Sequence, residues 1–245
     1  MTAPAQTGAA LKVVEPFARG TRFASGARAQ ALPQASQDHT FLRAYFEANT
    51  EGPGIYKWLH YFEIYQRYLQ RFVGTDVHIM EVGIYSGGSL PMWRQYFGDT
   101  SMVYGVDIEP ACKIYEADRT KVLIGDQGDR AFWSGVRKDV PRIDVLIDDG
   151  GHHPEQQIVT FEELFPHLRP GGVYICEDTG GVPNYFNSYA AGVASQLNGM
   201  RPSRMESLID SVHIYPGICV FEKRSTERVI SSERRGTQWQ PITFD

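Results

Sequence analysis

From Val77 onward the chain alternates short apolar runs with stretches whose apolar residues recur at helical spacing. The runs are Val77 to Val82, Met102 to Val106, Val122 to Ile124, Ile143 to Ile147 and Val173 to Cys176. Strand–helix alternation of this kind predicts an α/β protein, a parallel sheet wrapped by helices. The intervening helices are expected at Gly88 to Phe97, near Pro110 to Ala117, at Asp129 to Lys138 and at Pro154 to Leu168. The last ends in Arg169-Pro-Gly-Gly172, a stop signal before the next strand. After a loop and a helix near Ser188 to Asn198, Ser211 to Tyr215 and Ile218 to Glu222 flank Pro216-Gly217 and predict a terminal antiparallel hairpin. Ahead of the sheet, Asp38 to Asn49 and Tyr56 to Val73 carry helical periodicity, the second through Trp58, Leu59, Phe62, Tyr65, Leu69 and Phe72. The breaker Glu51-Gly-Pro-Gly54 separates them.

This pattern divides the chain into an unpatterned arm (1–37), a helical cap (38–75), an α/β core (76–224) and a tail (225–245). The arm is expected to be a flexible or disordered segment. Arg234-Arg-Gly-Thr-Gln-Trp-Gln-Pro241 is too polar for a core strand, and is expected to wrap over the active site or another subunit of a homo-oligomer. At 245 residues, 42% of them hydrophobic, the chain can bury a sizeable core. A formal charge of −5 without any long Lys/Arg run argues against nucleic acid or an anionic membrane and favours a small-molecule substrate. The start lacks the basic and apolar regions of a signal peptide, no window resembles a membrane span, and Cys112, Cys176 and Cys219 lie scattered in apolar surroundings as reduced core thiols. A cytoplasmic protein is the expectation.

Candidate chemistry gathers at the ends of the apolar runs. Ile143-Asp-Val-Leu-Ile-Asp-Asp-Gly-Gly-His-His153 and Val173-Tyr-Ile-Cys-Glu-Asp178 read as two buried strands that each end in acids. Asp148, Asp149, Glu177 and Asp178 offer hard oxygen donors suited to Mg²⁺, Mn²⁺ or Ca²⁺, and His152 follows Asp149 by three residues. The plainer reading is helix capping, with Asp149 and Pro154 marking a helix entry. Glu81-Val-Gly-Ile-Tyr-Ser-Gly-Gly-Ser89 follows the first strand and opens a helix, where open α/β sheets bind ligands. Tyr85 stands where a dinucleotide fingerprint needs its second glycine, which counts against an NAD-dependent oxidoreductase. Asp107 ends the second strand, placed to accept hydrogen bonds from ribose hydroxyls, and Gly125-Asp126-Gln127 ends the third, placed to meet an adenine edge. His78 and His167 sit at element ends without an acidic cluster and read as structural.

These three motifs in order resemble the class I S-adenosylmethionine-dependent methyltransferases over roughly Val77 to Lys223. The resemblance implies a Rossmann-like doubly wound sheet of about seven strands, ending in an antiparallel hairpin. It implies that S-adenosylmethionine is bound by Glu81, Gly83, Ser86 and Ser89, by Asp107 and Ile108, by Asp126 and Gln127, and by Asp148 on the cofactor side. Within that class the acid pairs and His152 resemble the divalent-metal-dependent sugar O-methyltransferases of natural-product pathways, a group that includes macrolide deoxysugar methyltransferases and cephalosporin hydroxylase-like proteins. Carried over by position, the metal ligands are Asp149, Glu177 and Asp178, and the general base is His152, with His153 an open alternative.

The implied activity is Mg²⁺-dependent methyl transfer to a hydroxyl of a sugar or glycoside, with a catechol-like or other non-sugar diol as the runner-up. A metal-dependent hydrolase and a non-catalytic accessory protein are the readings outside that class. In Tyr56-Lys-Trp-Leu-His-Tyr-Phe62 most of the aromatic residues are expected to pack a helix on the sheet, while Lys57 and His60 are candidates for ligand contact. Thr179 to Tyr189 directly follows the acid pair and has the composition of a lid.

Overall fold

The computed structural model describes residues 7–26, 40–180, 184–198 and 208–226. Seven strands form one sheet in the order β3-β2-β1-β4-β5-β7-β6. Strands β1 (His78–Val82), β2 (Met102–Asp107), β3 (Thr120–Ile124), β4 (Ile143–Asp148) and β5 (Leu168–Cys176) are parallel. The hairpin of β6 (Ile209–Tyr215) and β7 (Ile218–Lys223) turns at Pro216-Gly217 and inserts β7 antiparallel beside β5. This is the Rossmann-like α/β fold with its terminal hairpin. Strand order reverses between β1 and β4, and the crevice outside the carboxyl ends of such strands is where open sheets bind ligands.

Helices cover both faces. On one, α2 (Phe41–Ala48), α3 (Tyr61–Leu69) and α4 (Ser89–Phe97) bury Leu42, Phe62, Tyr65 and Trp93 against Ile79, Val103, Val145 and Ile175. On the other, α5 (Arg130–Asp139), α6 (Pro154–Leu164) and α7 (Phe186–Ser195) bury Trp133, Phe161 and Phe186 against Met80, Leu146, Tyr174 and Phe221. Strand side chains alternate between faces. The alternation therefore sends Glu81, next but one to Ile79, toward α3 and α4, and sends Asp148, next but one to Leu146, toward α6. Lys223 ends β7 buried, its Nζ donating to the carbonyls of Leu168 at 2.6 Å and Pro166 at 2.8 Å, where a cation is favoured near the end of α6. The three cysteines are free and buried, and among the described residues no helix is long and apolar enough to cross a membrane.

Three segments depart from the sequence reading. Thr7–Gly26 form a helix, α1, where an unpatterned arm is expected. The helix expected from Tyr56 starts only at Tyr61; residues 55–58 carry no regular structure, and the Tyr61 N–H closes on the Trp58 carbonyl at 2.9 Å. Glu51-Gly-Pro-Gly54 is followed by more loop because Lys57 reaches into the interior instead of joining a helical turn. Arg169-Pro-Gly-Gly172, expected to precede the fifth strand, lies inside it, since α6 stops at Leu164 and β5 pairs with β4 from Leu168 on, with a register irregularity between Ile143 and Val145. The polar stretch 234–241 lies outside the described residues.

Phe221 is fully buried among Phe161, Phe165, Tyr174 and Phe186 and does not line the cavity described below. Phe221→Ala is expected to lower the unfolding free energy by about 3–5 kcal/mol in urea denaturation, while S-adenosylhomocysteine affinity of the folded fraction stays unchanged.

Candidate active site

At the carboxyl edge of the sheet a cavity of about 990 Å³ collects the turns after β1, β2, β3, β4 and β5 together with residues 54–57. The turns touch at Gly83, whose φ is +82°; a Cβ there would lie 2.1 Å from the Asp149 carbonyl oxygen, so only glycine fits. Asp107 braces the glycine turn. Its Oδ2 accepts from the N–H groups of Ile84 at 3.1 Å and Tyr85 at 3.0 Å, and its Oδ1 from the Glu109 N–H at 2.9 Å. The loop before α3 lies across the same turn, with the Ser86 hydroxyl donating to the Gly54 carbonyl at 2.9 Å.

Beside the cavity, an ammonium group is buried among three carboxylates. Lys57 Nζ donates to Asp149 Oδ2 at 2.6 Å, to Glu177 Oε2 at 3.1 Å and to Glu81 Oε1 at 3.2 Å. Tyr65 Oη donates to Glu177 Oε1 at 2.5 Å, and Ser89 Oγ to Glu81 Oε2 at 2.5 Å. Burial alone would favour neutral lysine, but Glu177, Asp149 and Glu81 outweigh it and hold the Lys57 pKa well above the ordinary value. Burial, joined by the Asp149 charge, pushes Glu177 up against the pull of Lys57 and Tyr65, and burial likewise raises Glu81.

An outer cluster faces the cavity. Ligand atoms of Asp149, His152 and Asp178 all lie within 4.8 Å of one another. His152 Nε2 stands 3.6 Å from Asp178 Oδ2 and 3.9 Å from Asp149 Oδ1. Asp178 Oδ1 accepts from Trp58 Nε1 at 3.0 Å and Tyr61 Oη at 2.9 Å, leaving Oδ2 toward the histidine. His152 (φ +53°), Asp178 (φ +51°) and Tyr85 (φ +46°) line the cavity, and they are three of the four non-glycine residues with left-handed backbone among those described. Such conformations are costly away from glycine and cluster at functional sites.

Of the sequence-predicted residues, Gly83, Ser89, Asp107, Ile108, Asp126, Gln127, Asp149, His152 and Asp178 line this cavity. Ser86 pins residue 54 above the turn, and Glu81 and Glu177 sit behind the cavity wall, bonded to Lys57, which lines it. Asp148 is enclosed on the opposite face of the sheet, accepting from Tyr174 Oη at 2.9 Å and Gln127 Nε2 at 3.0 Å. Gln127 is thereby occupied, its Oε1 also accepting from the Gly151 N–H at 2.7 Å. His153 stands at the entrance of α6 without a side-chain capping bond, and His60 bonds the Pro216 carbonyl at 2.9 Å, bracing the hairpin rather than the cavity. His78 and His167 bond Tyr104 and the Val140 carbonyl respectively, in structural settings. Sequence reasoning missed the polar tips of Trp58, Tyr61 and Tyr65, because an apolar period is indifferent to where a hydroxyl or indole N–H ends. Part of the expected lid, residues 181–183, is outside the described residues; beside it Asn184 and Asn187 bond the carbonyls of Asp178 and Thr179.

A seven-stranded sheet of this order, with a glycine turn after β1 and an acid after β2, defines a class I methyltransferase. Residues 80–179 belong to a methyltransferase domain family, and the chain is similar to sugar O-methyltransferases of macrolide and polyketide pathways. It is 32% identical over 207 residues to the 8-demethyl-8-(2-methoxy-alpha-L-rhamnosyl)-tetracenomycin-C 3'-O-methyltransferase of Streptomyces olivaceus, covering 72% of this chain and 52% of that protein. It is 29% identical over 221 residues to the demethylmacrocin O-methyltransferase of Streptomyces fradiae, covering 77% of this chain and 54% of that one. Among solved structures it resembles the MycE methyltransferase of the mycinamycin pathway in complex with Mg, SAH and mycinamycin VI. That match has a TM-score of 0.61 and 25% identity, over 75% of this chain and 52% of that one. The chain thus spans about half the length of these relatives.

Burial raises the Asp148 pKa to about 6, against the opposing donors Tyr174, Gln127 and the Gly150 N–H. The folded state therefore binds this proton more tightly than the unfolded chain does. Its contribution to stability is full below the unfolded value of 3.8 and is lost as pH rises through about 6. In metal-free protein the melting temperature of Asp148→Asn relative to wild type is expected to rise between pH 4 and pH 7. A constant difference across that range contradicts the assignment.

Proposed function

We propose that the protein transfers the methyl group of S-adenosylmethionine to a hydroxyl of a sugar or glycoside, with a divalent ion such as Mg²⁺ at the outer acid cluster. The observation that carries this is the convergence of Asp149, Asp178 and His152 on the rim of the cavity that the glycine turn and Asp107 shape. Two carboxylates suit a hard cation with coordination positions left over, and the imidazole beside them is left for proton transfer. Asp149 and Asp178 would hold the ion at the rim; Glu177, expected as the third ligand, adjoins them and is bonded to Lys57 and Tyr65. The glycine turn and Asp107 hold the cofactor, the Asp107 carboxylate meeting its ribose hydroxyls.

When bound, the cofactor supplies a methyl group on a sulfonium and the ion supplies Lewis-acid help at an acceptor oxygen. The chain's own part is alignment and proton removal. The cavity walls hold acceptor oxygen and methyl carbon in line, so that the O–CH₃ bond forms as the S–CH₃ bond breaks and S-adenosylhomocysteine leaves. His152 Nε2, half-exposed beside both aspartates, takes the hydroxyl proton. Asp178 and Asp149 flank that nitrogen and stabilise the imidazolium that forms. A vicinal diol on a catechol-like scaffold presents the same pair of oxygens and is the second reading. The matched relatives named as acting on rhamnosyl and macrolide substrates favour the sugar.

The test is methyl transfer from labelled S-adenosylmethionine to a panel of deoxysugar glycosides, nucleotide sugars and catechols, with Mg²⁺ and after chelation. Transfer to glycosides that chelation abolishes is the expected result; transfer to catechols alone selects the second reading, and no transfer to any acceptor contradicts both. His152→Ala is expected to cut turnover by about 10²–10⁴ with an unchanged melting temperature. Its Mn²⁺ affinity should match wild type; loss of that affinity would make His152 a ligand instead of the base. Asp107→Ala is expected to weaken calorimetric binding of S-adenosylhomocysteine at least about tenfold, a loss of about 1.4 kcal/mol.

A further inference from the structure

We propose that Tyr61, backed by the Pro216-Gly217 turn and joined by Trp58, is a positioning residue that aims Asp178 at the cavity, which makes the terminal hairpin a wall of the site as well as the end of the sheet. β7 runs antiparallel to β5 and Cys219 pairs with Cys176, so the turn that opens β7 lies at the carboxyl end of β5, where Glu177 and Asp178 emerge. The Thr179 N–H ties the two together, donating to the Gly217 carbonyl at 2.9 Å. Two consecutive side chains at the start of α3 meet the same turn. His60 Nε2 bonds the Pro216 carbonyl at 2.9 Å, and Tyr61 Oη stands 2.7 Å from the Gly217 carbonyl. Two helical turns further along α3, Tyr68 Oη pairs with Tyr215 Oη at 2.7 Å, so the helix is stitched to the hairpin at both ends.

The Tyr61 hydroxyl grips Asp178 twice. Its oxygen accepts the Asp178 N–H at 3.3 Å and lies 2.9 Å from Asp178 Oδ1. Its single hydrogen has two acceptors in reach, the Gly217 carbonyl and that carboxylate. The carbonyl already takes the Thr179 N–H, and a hydrogen bond to a charged acceptor is roughly twice as strong as a neutral one, so the hydrogen goes to Asp178. Trp58 Nε1 donates to the same Oδ1 at 3.0 Å, and with both donors on Oδ1 the other oxygen, Oδ2, is left facing His152 at 3.6 Å. Asp178 needs such holding, since its φ of +51° is costly for an aspartate and persists only where contacts over-determine it. Gly217 completes the arrangement. Its φ is +77° and a Cβ there would stand 2.7 Å from Tyr61 Oη, so any side chain would press on the hydroxyl that holds Asp178. The ring of Tyr61 is buried and packs as a phenylalanine would; the hydroxyl is what reaches the aspartate.

The inference rests on the proposed reading of Asp178 as a ligand of a divalent ion. Calorimetry of Mn²⁺ and, separately, of S-adenosylhomocysteine into metal-free protein tests it. Tyr61→Phe is expected to weaken Mn²⁺ binding about 10- to 100-fold, the usual loss when a group that orients a metal ligand is removed, and to leave S-adenosylhomocysteine affinity unchanged. In an Asp178→Asn background the same substitution is expected to add no further loss, because it acts through that carboxylate. Wild-type Mn²⁺ affinity in Tyr61→Phe, an equal loss of both ligands, or a full additional loss on top of Asp178→Asn overturns the inference. If Tyr61→Phe does not fold, Trp58→Phe at the half-exposed neighbouring position removes the other donor to Oδ1. A Mn²⁺ loss there that vanishes in the Asp178→Asn background supports the inference, and unchanged binding overturns it. Wild-type protein that binds no Mn²⁺, or Asp178→Asn that binds it as wild type does, overturns the metal reading and this inference with it. A loss in Asp178→Asn beside an unaffected Tyr61→Phe overturns the positioning role alone.

Discussion

A single buried ammonium group makes the rest of the site possible. Carboxylates at the ends of β1, β4 and β5 cannot share a dry interior as uncompensated anions, since desolvating each charge costs several kcal/mol and their mutual repulsion adds to it. Lys57 resolves that conflict from outside the sheet, on a loop that gives up helical hydrogen bonds to reach inward. With the inner charge partly compensated, Asp149 and Asp178 can stand as carboxylates at the cavity rim beside His152. The strain in Asp178 and His152 fits the same picture, because backbone held in the left-handed region persists only where surrounding contacts over-determine it.

The sheet's twofold alternation sorts the acids by task. Residues after β4 and β5 fall on opposite faces one by one. Asp148 is turned toward α6 to organise Gln127, and its neighbour Asp149 toward Lys57 and the cavity. Glu177 and Asp178 divide in the same manner, one behind the wall and one at the rim. Adjacent acids in sequence thus part between the interior and the cavity rim, and the close approach of Gly83 to the Asp149 carbonyl ties the turn after β1 to the turn after β4. A shift of either turn would be felt by the other.

Much of the fold was legible because its signals are strong and local. Short apolar runs ending in Val106, Ile147 and Cys176, and the Pro216-Gly217 hairpin, are specified by periodicity and turn chemistry alone. The rim of the site was legible for a related reason: glycine, aspartate and histidine at strand ends have few other uses. The loop at residues 55–58 was not, because Tyr56 to Val73 satisfies a helical pattern throughout, and only the tertiary pull of three acids on Lys57 makes the loop preferable. The α1 helix was missed because Gly8, Pro16 and Gly20 interrupt its apolar positions with residues that ordinarily break a helix. Trp58, Tyr61 and Tyr65 were read as packing, which their rings do, while the tips that hold Asp178 and Glu177 become visible only once the strands are assembled.

The central claim is the proposed one, that Asp149 and Asp178 would hold a divalent ion at the rim of the cavity shaped by the glycine turn and Asp107. Anomalous diffraction from crystals grown with Mn²⁺ and S-adenosylhomocysteine tests it most directly. The account predicts a peak in contact with Asp149 Oδ1 and Asp178 Oδ2. A peak that touches neither aspartate, or none where the protein is saturated with Mn²⁺, would contradict it.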